Sequence, residues 1–243
     1  MQLFQRFKNK FVIGVCEDRV AGATKLIYDM DLEALVLDDA YQHRAIKAGF
    51  NILMTDYNDP YFKDFLLPAG DLRESRAGYK RANIIMISKC PPDLTDEKKR
   101  YYISRIKPLA HQKVYFSSIN YDENIYSVEQ HLPDNNLAYY DILLITGIAN
   151  PKPLVDHLAK FSQKVKHLKF KDHHNFTKDD IQNILKEYKK LGEYRLILTT
   201  EKDYVRLKTF DYIRELVYYW PINVQINEQE EFNKTIQDYV RKN

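Results

Sequence analysis

Short apolar runs alternate with amphipathic stretches along the first half of this chain. Strands are predicted where the runs fall, at residues 11–15, 32–37, 50–55, 84–87 and 114–117. Helices are predicted where apolar side chains recur every three or four positions, at residues 20–30 and 96–109. Strands that alternate with helices require crossover connections, so this order predicts an α/β fold with a mostly parallel sheet.

The same alternation starts again after residue 136. Strands are predicted at residues 141–146, 165–170 and 194–199, and helices at 150–161, 177–191, from 201, and at 229–240. Two clusters of turn-forming residues at 120–136 predict a hairpin-like connector. The chain is therefore predicted to contain a core domain at 1–119, the connector at 120–136, and a second, smaller α/β domain at 137–243. Gly192 is expected to end the helix at 177–191 in the left-handed conformation.

Composition narrows the class of protein. The 243 residues are 44% apolar and 29% charged, as in ordinary soluble globular proteins. A net charge of +3 is compatible with anionic substrates or a membrane surface, but is too small to indicate a nucleic-acid partner. No apolar run reaches the roughly 18 residues that a membrane-spanning helix needs. Cys16 and Cys90 form no CxxC motif, and both are expected to be reduced and buried.

Two adjacent carboxylates, Asp38 and Asp39, follow the apolar run at 34–37 directly, and Gln42 and His43 come next. Ligands of open α/β sheets lie outside the carboxyl ends of the strands. A buried strand ending here would place hard oxygen ligands where a Mg²⁺-nucleotide binds. The alternative is an ordinary turn, in which Asp satisfies backbone donors of the loop.

The segment at residues 66–74 reads Leu-Leu-Pro-Ala-Gly-Asp-Leu-Arg-Glu and predicts a structured loop. Arg73 could contact a phosphate in a bidentate manner, with Glu74 holding its guanidinium in place. The alternative is that Arg73 and Glu74 form a purely structural pair that braces the loop.

A pair of histidines follows the strand predicted at 165–170. Asp172 could fix the tautomer of His173 in a proton relay. A zinc site is not expected, because no third His or Cys ligand lies at suitable spacing. The alternative is a loop histidine that caps backbone groups.

The sequence Thr-Thr-Glu-Lys-Asp at 199–203 joins a predicted strand to a helix, where backbone N–H groups favour anions. Lys202 and Arg206 are four positions apart and would face the same way. The alternative is a capping threonine followed by an ordinary solvated helix surface.

Five motifs in this order resemble the tetraacyldisaccharide 4′-kinase family. They are Asp-Asp-Ala-Tyr-Gln-His-Arg at 38–44, the loop at 66–74, Thr-Gly-Ile-Ala-Asn-Pro at 146–151, Lys-Asp-His-His at 171–174, and the segment at 199–207. The resemblance implies a P-loop-NTPase-like sheet and an ATP-dependent, Mg²⁺-dependent kinase. Its substrate would be the lipid A disaccharide precursor, phosphorylated on the 4′-hydroxyl at the cytoplasmic face of the bacterial inner membrane.

The resemblance also implies roles for individual residues. The catalytic residues would be His173, Asp38 and Asp39, with His173 acting beside an acidic residue of the family that this sequence does not contain. The substrate and phosphate would be bound by Gln42, His43, Arg73 and Glu74. The nucleotide would be bound by Thr200, Glu201, Lys202 and Asp203. The Mg²⁺ ligands would be Asp39 and Gln42.

One departure from the family is large. The family's Walker A sequence, of the Gly-Gly-Thr-Gly-Lys-Thr type, has no counterpart among these 243 residues. We therefore expect that Met1 is an internal methionine of the family protein, and that the phosphate cradle and a membrane-associating N-terminal helix are missing. The chain alone is expected to be inactive or nearly so.

Two other classes of protein remain open at this stage. A non-catalytic α/β module could bind an anionic sugar or nucleotide through Arg73 and Lys202, without dependence on Mg²⁺ or Asp39. An unrelated nucleotide-sugar enzyme of doubly wound fold is the second possibility, although the order of the five motifs argues against it.

Overall fold

The computed structural model describes residues 10–127, 132 and 136–242. By its internal contacts the chain divides into two compact units. The first unit comprises residues 12–120 and 224–243, and the second unit is built on residues 121–223. The segment that returns at 224–243 lies within the range predicted for the second domain, so the first unit is discontinuous in sequence.

The first unit contains a four-stranded sheet, two helices before its third strand, and a C-terminal helix. In chain order its elements are α1 Arg19–Asp29, β1 Ile52–Asp56, β2 Ile84–Cys90, α2 Asp96–Ile106, β3 Lys113–Tyr121, β8 Ile222–Ile226 and α7 Gln229–Lys242. The strand order is β1-β2-β3-β8, and β2 pairs with both β1 and β3 in parallel. A short 3₁₀ helix at Arg76–Arg81 precedes β2.

Both faces of β2 are buried, as the predicted apolar run requires for a central parallel strand. Ile85 and Ile87 point into a cluster that contains Tyr102 of α2. The alternate residues, Ile84 and Met86, pack on the opposite face against side chains of α7. This period of two is the geometry of a pleated strand.

The second unit contains a wholly parallel sheet. Its elements are β4 Asp141–Thr146, α3 Lys152–Leu158, β5 Val165–Lys169, α4 Lys178–Lys189, β6 Arg195–Thr200, α5 Glu201–Leu207, α6 Asp211–Arg214 and β7 Val217–Trp220. The strand order is β5-β4-β6-β7, with every pair parallel. The predicted α/β class with mostly parallel sheets is therefore confirmed.

Helix α4 begins where the sequence predicted, at Thr177. The Thr177 hydroxyl accepts the backbone N–H of Asp180, and the Asp180 carboxylate accepts the backbone N–H of Thr177. These reciprocal bonds satisfy two donors that a helix N-terminus leaves unpaired. The end of α4 differs from the prediction, because no glycine in the described residues has a positive φ. Gly192 instead allows the Asp141 carboxylate to lie close to the backbone, since a Cβ added at Gly192 would be 2.7 Å from that carboxylate.

Two strand predictions are wrong. Residues 11–15 and 32–37 belong to neither sheet in the described part of the chain, and most of them lack regular structure. Val15 is 96% exposed and Val36 is 90% exposed. An apolar run forms a buried parallel strand only when neighbouring strands pair with its backbone on both sides, and in these residues that pairing does not occur. Cys16, predicted to be buried, is exposed, whereas Cys90 is buried.

The predicted connector falls partly outside the described residues, which omit 128–131 and 133–135. Within the described part, Tyr126 forms an isolated antiparallel bridge with Tyr219 of β7. Strands β7 and β8, which the sequence did not predict, follow each other with Pro221 between them.

Candidate functional site

The paired carboxylates lie in an exposed turn rather than at a strand end. Asp39 adopts a left-handed conformation with φ 48°. Its Oδ2 lies 3.8 Å from Nη1 of Arg73, and the two side chains are 77% and 68% exposed. A pair this exposed contributes little to stability. Both charged groups therefore remain accessible to a ligand from solvent.

Tyr41 anchors this turn to the first unit. Its hydroxyl donates to the carbonyl of Gly78 over 2.8 Å. Burial raises the pKa of the Tyr41 hydroxyl, against a smaller lowering by Arg81, so the group remains a neutral donor. Gln42 and His43 continue the turn, with the His43 N–H donating to the Ala40 carbonyl over 2.9 Å.

Glu74 pairs with Arg81 and not with Arg73. Nη2 of Arg81 lies 2.7 Å from Oε1 of Glu74. The same guanidinium nitrogen donates to the carbonyl of Tyr41 over 3.1 Å, and the group lies over the Tyr41 ring at 4.7 Å. The hydrogen bond to Glu74 raises the pKa of Arg81 further. Arg81, which sequence reasoning missed, thus connects the turn at 38–43 to the loop that carries Arg73.

The second unit holds the other predicted site residues. His173 has a left-handed backbone, with φ 58°. Its N–H donates to the Gly147 carbonyl over 3.1 Å and to Asp172 Oδ1 over 2.9 Å. The imidazole is 70% exposed. A non-glycine residue held in this conformation is a local strain that the surrounding bonds must offset.

Two cationic side chains flank the His173 ring. Nζ of Lys202 lies 3.3 Å from Nε2, and Nη2 of Arg206 lies 3.3 Å from Nδ1. Lys202 also donates to Asp172 Oδ1 over 3.2 Å. Burial would raise the pKa of Asp172, but Lys202 and His173 outweigh it and lower that pKa below its usual range. Asp172 is therefore an anion at neutral pH.

His174 has a structural environment, unlike its neighbour. Its Nε2 lies 2.9 Å from Oδ2 of Asp180, the same carboxylate that caps α4. The ring packs between Phe170 and Phe176, at centroid distances of 4.8 Å and 5.2 Å. Of the two histidines, only His173 presents its ring to solvent beside cationic groups. The catalytic role that the sequence assigns to His173 stays a prediction.

The segment that opens α5 divides between surface and interior. The Thr200 hydroxyl caps the helix by accepting the N–H of Asp203, and it donates to Asp203 Oδ2 over 2.9 Å. Asp203 is completely buried, so its carboxylate is not open to solvent as Lys202 is. Glu201 is partly exposed at the start of the helix. The predicted role of these residues in nucleotide binding stays a prediction.

A cleft of about 490 Å³ opens beside Lys202 and Arg206. Phe176, Val205 and Phe210 contribute apolar lining. A lining that combines apolar side chains with two cations is suited to a ligand with a ring or chain next to an anionic group.

The described residues contain neither a cluster of metal ligands nor a membrane-spanning helix. No three or more His, Cys, Asp or Glu side chains there are grouped closely enough to enclose a metal ion. No helix of that part of the chain has both the length and the apolar character needed to cross a bilayer.

Comparison with known proteins identifies the family to which this chain is similar. A model of the tetraacyldisaccharide-1-P 4′-kinase family matches residues 1–241. The chain is 40% identical over 244 residues to a tetraacyldisaccharide 4′-kinase of Flavobacterium johnsoniae, covering 100% of this chain and 69% of that protein. It is also 40% identical over 250 residues to one of Bacteroides thetaiotaomicron, covering 95% of this chain and 66% of that protein. The chain thus spans about two thirds of the length of these relatives.

A solved structure shares the fold. It is that of LpxK from Aquifex aeolicus in complex with ATP, with a TM-score of 0.63 and 22% identity. The similarity covers 91% of this chain and 62% of that one. The match along residues 1–241 and the identity to two curated relatives show that the chain belongs to the tetraacyldisaccharide-1-P 4′-kinase family.

Proposed function

We propose that this chain carries part of the machinery that transfers the γ-phosphoryl group of ATP to the 4′-hydroxyl of a tetraacyldisaccharide 1-phosphate. The family match along residues 1–241 carries the proposal. In the reaction, the hydroxyl oxygen bonds to the γ-phosphorus while the bond from that phosphorus to the β–γ bridging oxygen breaks. ADP leaves, and the hydroxyl proton passes to a base.

Phosphoryl transfer depends mainly on positioning and on neutralising charge. Arg73 supports the proposal because its guanidinium is exposed next to Asp39, while Glu74 is engaged by Arg81. An exposed guanidinium can contact phosphate oxygens in a bidentate manner. Gln42 and His43, in the same turn as Asp39, would contact the phosphate or substrate.

The residues of the turn suit Mg²⁺. This ion is usually held by one or two carboxylates, with water and phosphate oxygens completing its shell. Asp39 with Gln42 offers such a partial set of hard oxygen atoms, and Asp38 adds a second carboxylate. We expect Asp39 and Gln42 to hold the ion, which when bound would neutralise charge on the β- and γ-phosphates.

His173 would act in proton removal as a hydrogen-bond donor. Arg206 and Lys202 can only donate, and a neutral imidazole has one acceptor nitrogen. We assign that acceptor to Nδ1, 3.3 Å from Nη2 of Arg206, because Lys202 also has Asp172 as an acceptor at 3.2 Å. A neutral imidazole then carries its proton on Nε2. That N–H can orient an acidic residue that receives the hydroxyl proton, as the family resemblance implies. Lys202, beside the same ring, would contact the nucleotide together with Thr200 and Glu201, while the buried Asp203 would hold this segment in place.

The acceptor's four acyl chains place it in a membrane. We therefore propose that the protein works at the cytoplasmic face of the inner membrane as a peripheral protein. A net charge of +3 is compatible with an anionic surface, although it is too small to decide the question.

The test compares this chain with the Flavobacterium johnsoniae relative. Both are incubated with tetraacyldisaccharide 1-phosphate and γ-labelled ATP, and 4′-phosphorylated product is measured. We expect turnover by the relative and little or none by this chain, because its sequence contains no Walker A loop. Turnover by the chain close to that of the relative would contradict the expected inactivity.

Ligand binding by the chain itself provides the second measurement. We expect calorimetry to detect ATP binding that is strengthened by Mg²⁺ and weakened by Asp39→Ala. Binding that is indifferent to both changes would instead indicate a non-catalytic module. Absence of both ATP binding and phosphoryl transfer would overturn the proposal.

A further inference from the structure

We propose that Asp203 is a positioning residue that fixes the backbone and the ring tautomer of His173. The inference rests on the role proposed above for His173. Asp203 does not touch the His173 ring, and its carboxylate is completely buried. It acts through two intermediaries, Gly147 and Arg206, one for each carboxylate oxygen.

The first connection runs through Gly147 in the loop after β4. The Gly147 N–H donates to Oδ2 of Asp203 over 2.8 Å. The carbonyl of Gly147 in turn accepts the N–H of His173 over 3.1 Å. Asp203 therefore holds Gly147 by its N–H, and the carbonyl of the same residue, in the next peptide group, holds His173 in its left-handed conformation at φ 58°.

The packing around Gly147 is tight. A Cβ added to Gly147 would lie 3.1 Å from Oδ1 of Asp203 and 3.4 Å from the carbonyl of Lys171. Glycine suits this position because the Asp203 carboxylate and the Lys171 carbonyl leave little room for a side chain. Movement of the Asp203 carboxylate would change the position of the loop directly.

The second connection runs through Arg206. Oδ1 of Asp203 has no hydrogen-bond partner among the described residues, but Nη1 of Arg206 lies 3.7 Å away. The other guanidinium nitrogen, Nη2, lies 3.3 Å from Nδ1 of His173. Arg206 also donates to the His174 carbonyl over 3.4 Å.

This contact sets the tautomer. A neutral imidazole has one acceptor nitrogen and one N–H. Arg206 and Lys202 are both cations beside the ring, so they cannot both donate to it. Arg206 is attracted to the buried carboxylate, whereas Lys202 has Asp172 as an alternative acceptor at 3.2 Å. We therefore assign Nδ1 as the acceptor for Arg206 and place the proton on Nε2.

The buried carboxylate is poorly explained by stability alone. A charged oxygen without a hydrogen bond in the interior is costly. A comparable pair in the next helix, Asp211 and Arg214, has the same three-residue spacing, but its aspartate side chain is 89% exposed. Asp211 therefore offers a matched control for loss of an Asp–Arg pair at this spacing.

The test observes the His173 ring nitrogens in this chain by long-range ¹H–¹⁵N NMR at neutral pH. In Asp203→Asn, one side-chain oxygen can still accept from Gly147 and Thr200, but the amide N–H₂ would face the Arg206 guanidinium. We expect the wild-type ring to be mainly Nε2-protonated. In the variant, we expect the tautomer ratio to move about tenfold towards equal populations, because the charge attraction that holds the Arg206 guanidinium in place is lost.

The rate of hydrogen exchange at the His173 backbone N–H is a second measurement on the same samples. We expect the His173 N–H to exchange about tenfold faster in Asp203→Asn, because Gly147, the residue that supplies its acceptor, is less firmly held. Asp211→Asn should change neither the ring spectrum nor this exchange rate. An unchanged ring spectrum and exchange rate in Asp203→Asn would overturn the proposal.

Arg206→Lys keeps the proposal testable if Asp203→Asn does not fold. A single ammonium cannot replace a guanidinium that contacts two groups through separate nitrogens. The tautomer ratio should shift in this variant as well, and an unchanged ratio would contradict the second connection. None of these readings needs phosphoryl transfer, so failure of the kinase assay and failure of this inference remain distinguishable.

Discussion

Glu74 forms an ion pair with Arg81, seven positions along the chain, with 2.7 Å between Oε1 and Nη2. Its neighbour Arg73 points instead towards Asp39, at 3.8 Å and mostly in solvent. One arginine therefore braces the loop, and the other is available for a ligand. The alternative of a purely structural pair thus applies to Arg81, a residue that the motif did not single out.

Two arginine variants should separate these roles. We expect Arg81→Ala to lower the free energy of unfolding by about 1–3 kcal/mol, because it removes a charged hydrogen bond and a cation–π contact. Arg73→Ala should change it by less than about 0.5 kcal/mol, as is usual for exposed pairs, and should weaken ATP binding. Urea unfolding and calorimetry measure the two effects. Equal loss of stability in both variants would refute this division.

Gly78 should be intolerant of a methyl group for steric reasons. An added Cβ would lie 2.7 Å from Oε1 of Glu74 and 3.2 Å from Nη1 of Arg81. Oε1 is the end of a side chain that Arg81 holds in an ion pair, so it can move only by disturbing that pair, and we expect Gly78→Ala to destabilise the chain by about 1 kcal/mol. Glu74→Ala removes the obstructing atom, so the double variant should cost less than the sum of the single ones. Additive costs in urea unfolding would exclude this explanation.

Acid should weaken the second unit through Glu187. Hydrogen bonds from Lys166 and Lys190 lower the pKa of Glu187 to about 2, from an ordinary value of 4.5. A lowered folded-state pKa stabilises the fold above the unfolded value, and this contribution is lost as the pH falls from about 4.5 towards 2. Wild type should exceed Glu187→Gln in stability at neutral pH, and the gap should close over this range. The exposed Glu193→Gln is the control, and a gap that persists at pH 2 would oppose the assignment.

Truncation to alanine should reduce the stability of the fold much more at His174 than at His173. His174→Ala removes the contact with Asp180 and the packing on two phenylalanines, so we expect a loss of about 1–3 kcal/mol in the free energy of unfolding. His173→Ala removes an exposed ring and should cost less than about 0.5 kcal/mol. In an active family member, the equivalent of His173→Ala should instead reduce phosphoryl transfer. A larger loss of stability for His173→Ala would reverse the roles.

The sequence predicted the regular elements where local signals were strong. Residues 141–146 form β4 as predicted, because a continuous apolar run there is buried by helices on both faces. The capping residues at Thr177 and Thr200 also mark real helix starts. These features depend on neighbours within a few positions, so the chain alone contains the information.

The errors concern relationships over long sequence distances. The run at 32–37 is as apolar as β4, but strand formation depends on which backbones lie beside it. Arg81 gave no signal, because its contact with Tyr41 spans 40 positions. Asp203 was predicted for its place in a motif, and its burial follows from the approach of Gly147, 56 positions away. Contacts between residues so far apart along the chain cannot be predicted from the pattern of neighbouring residues.

The return of residues 224–243 to the first unit has a consequence for synthesis on the ribosome. The second unit's sheet is complete once Trp220 has emerged from the exit tunnel. The first unit still lacks β8 and α7 at that moment, although its β1–β3 strands were made long before. Ile84 and Met86 therefore have an incompletely covered face until Phe232 and Ile236 arrive. Strands β1–β3 are thus translated before the second unit, but their own unit finishes folding after it, and its apolar face stays open to water for that interval.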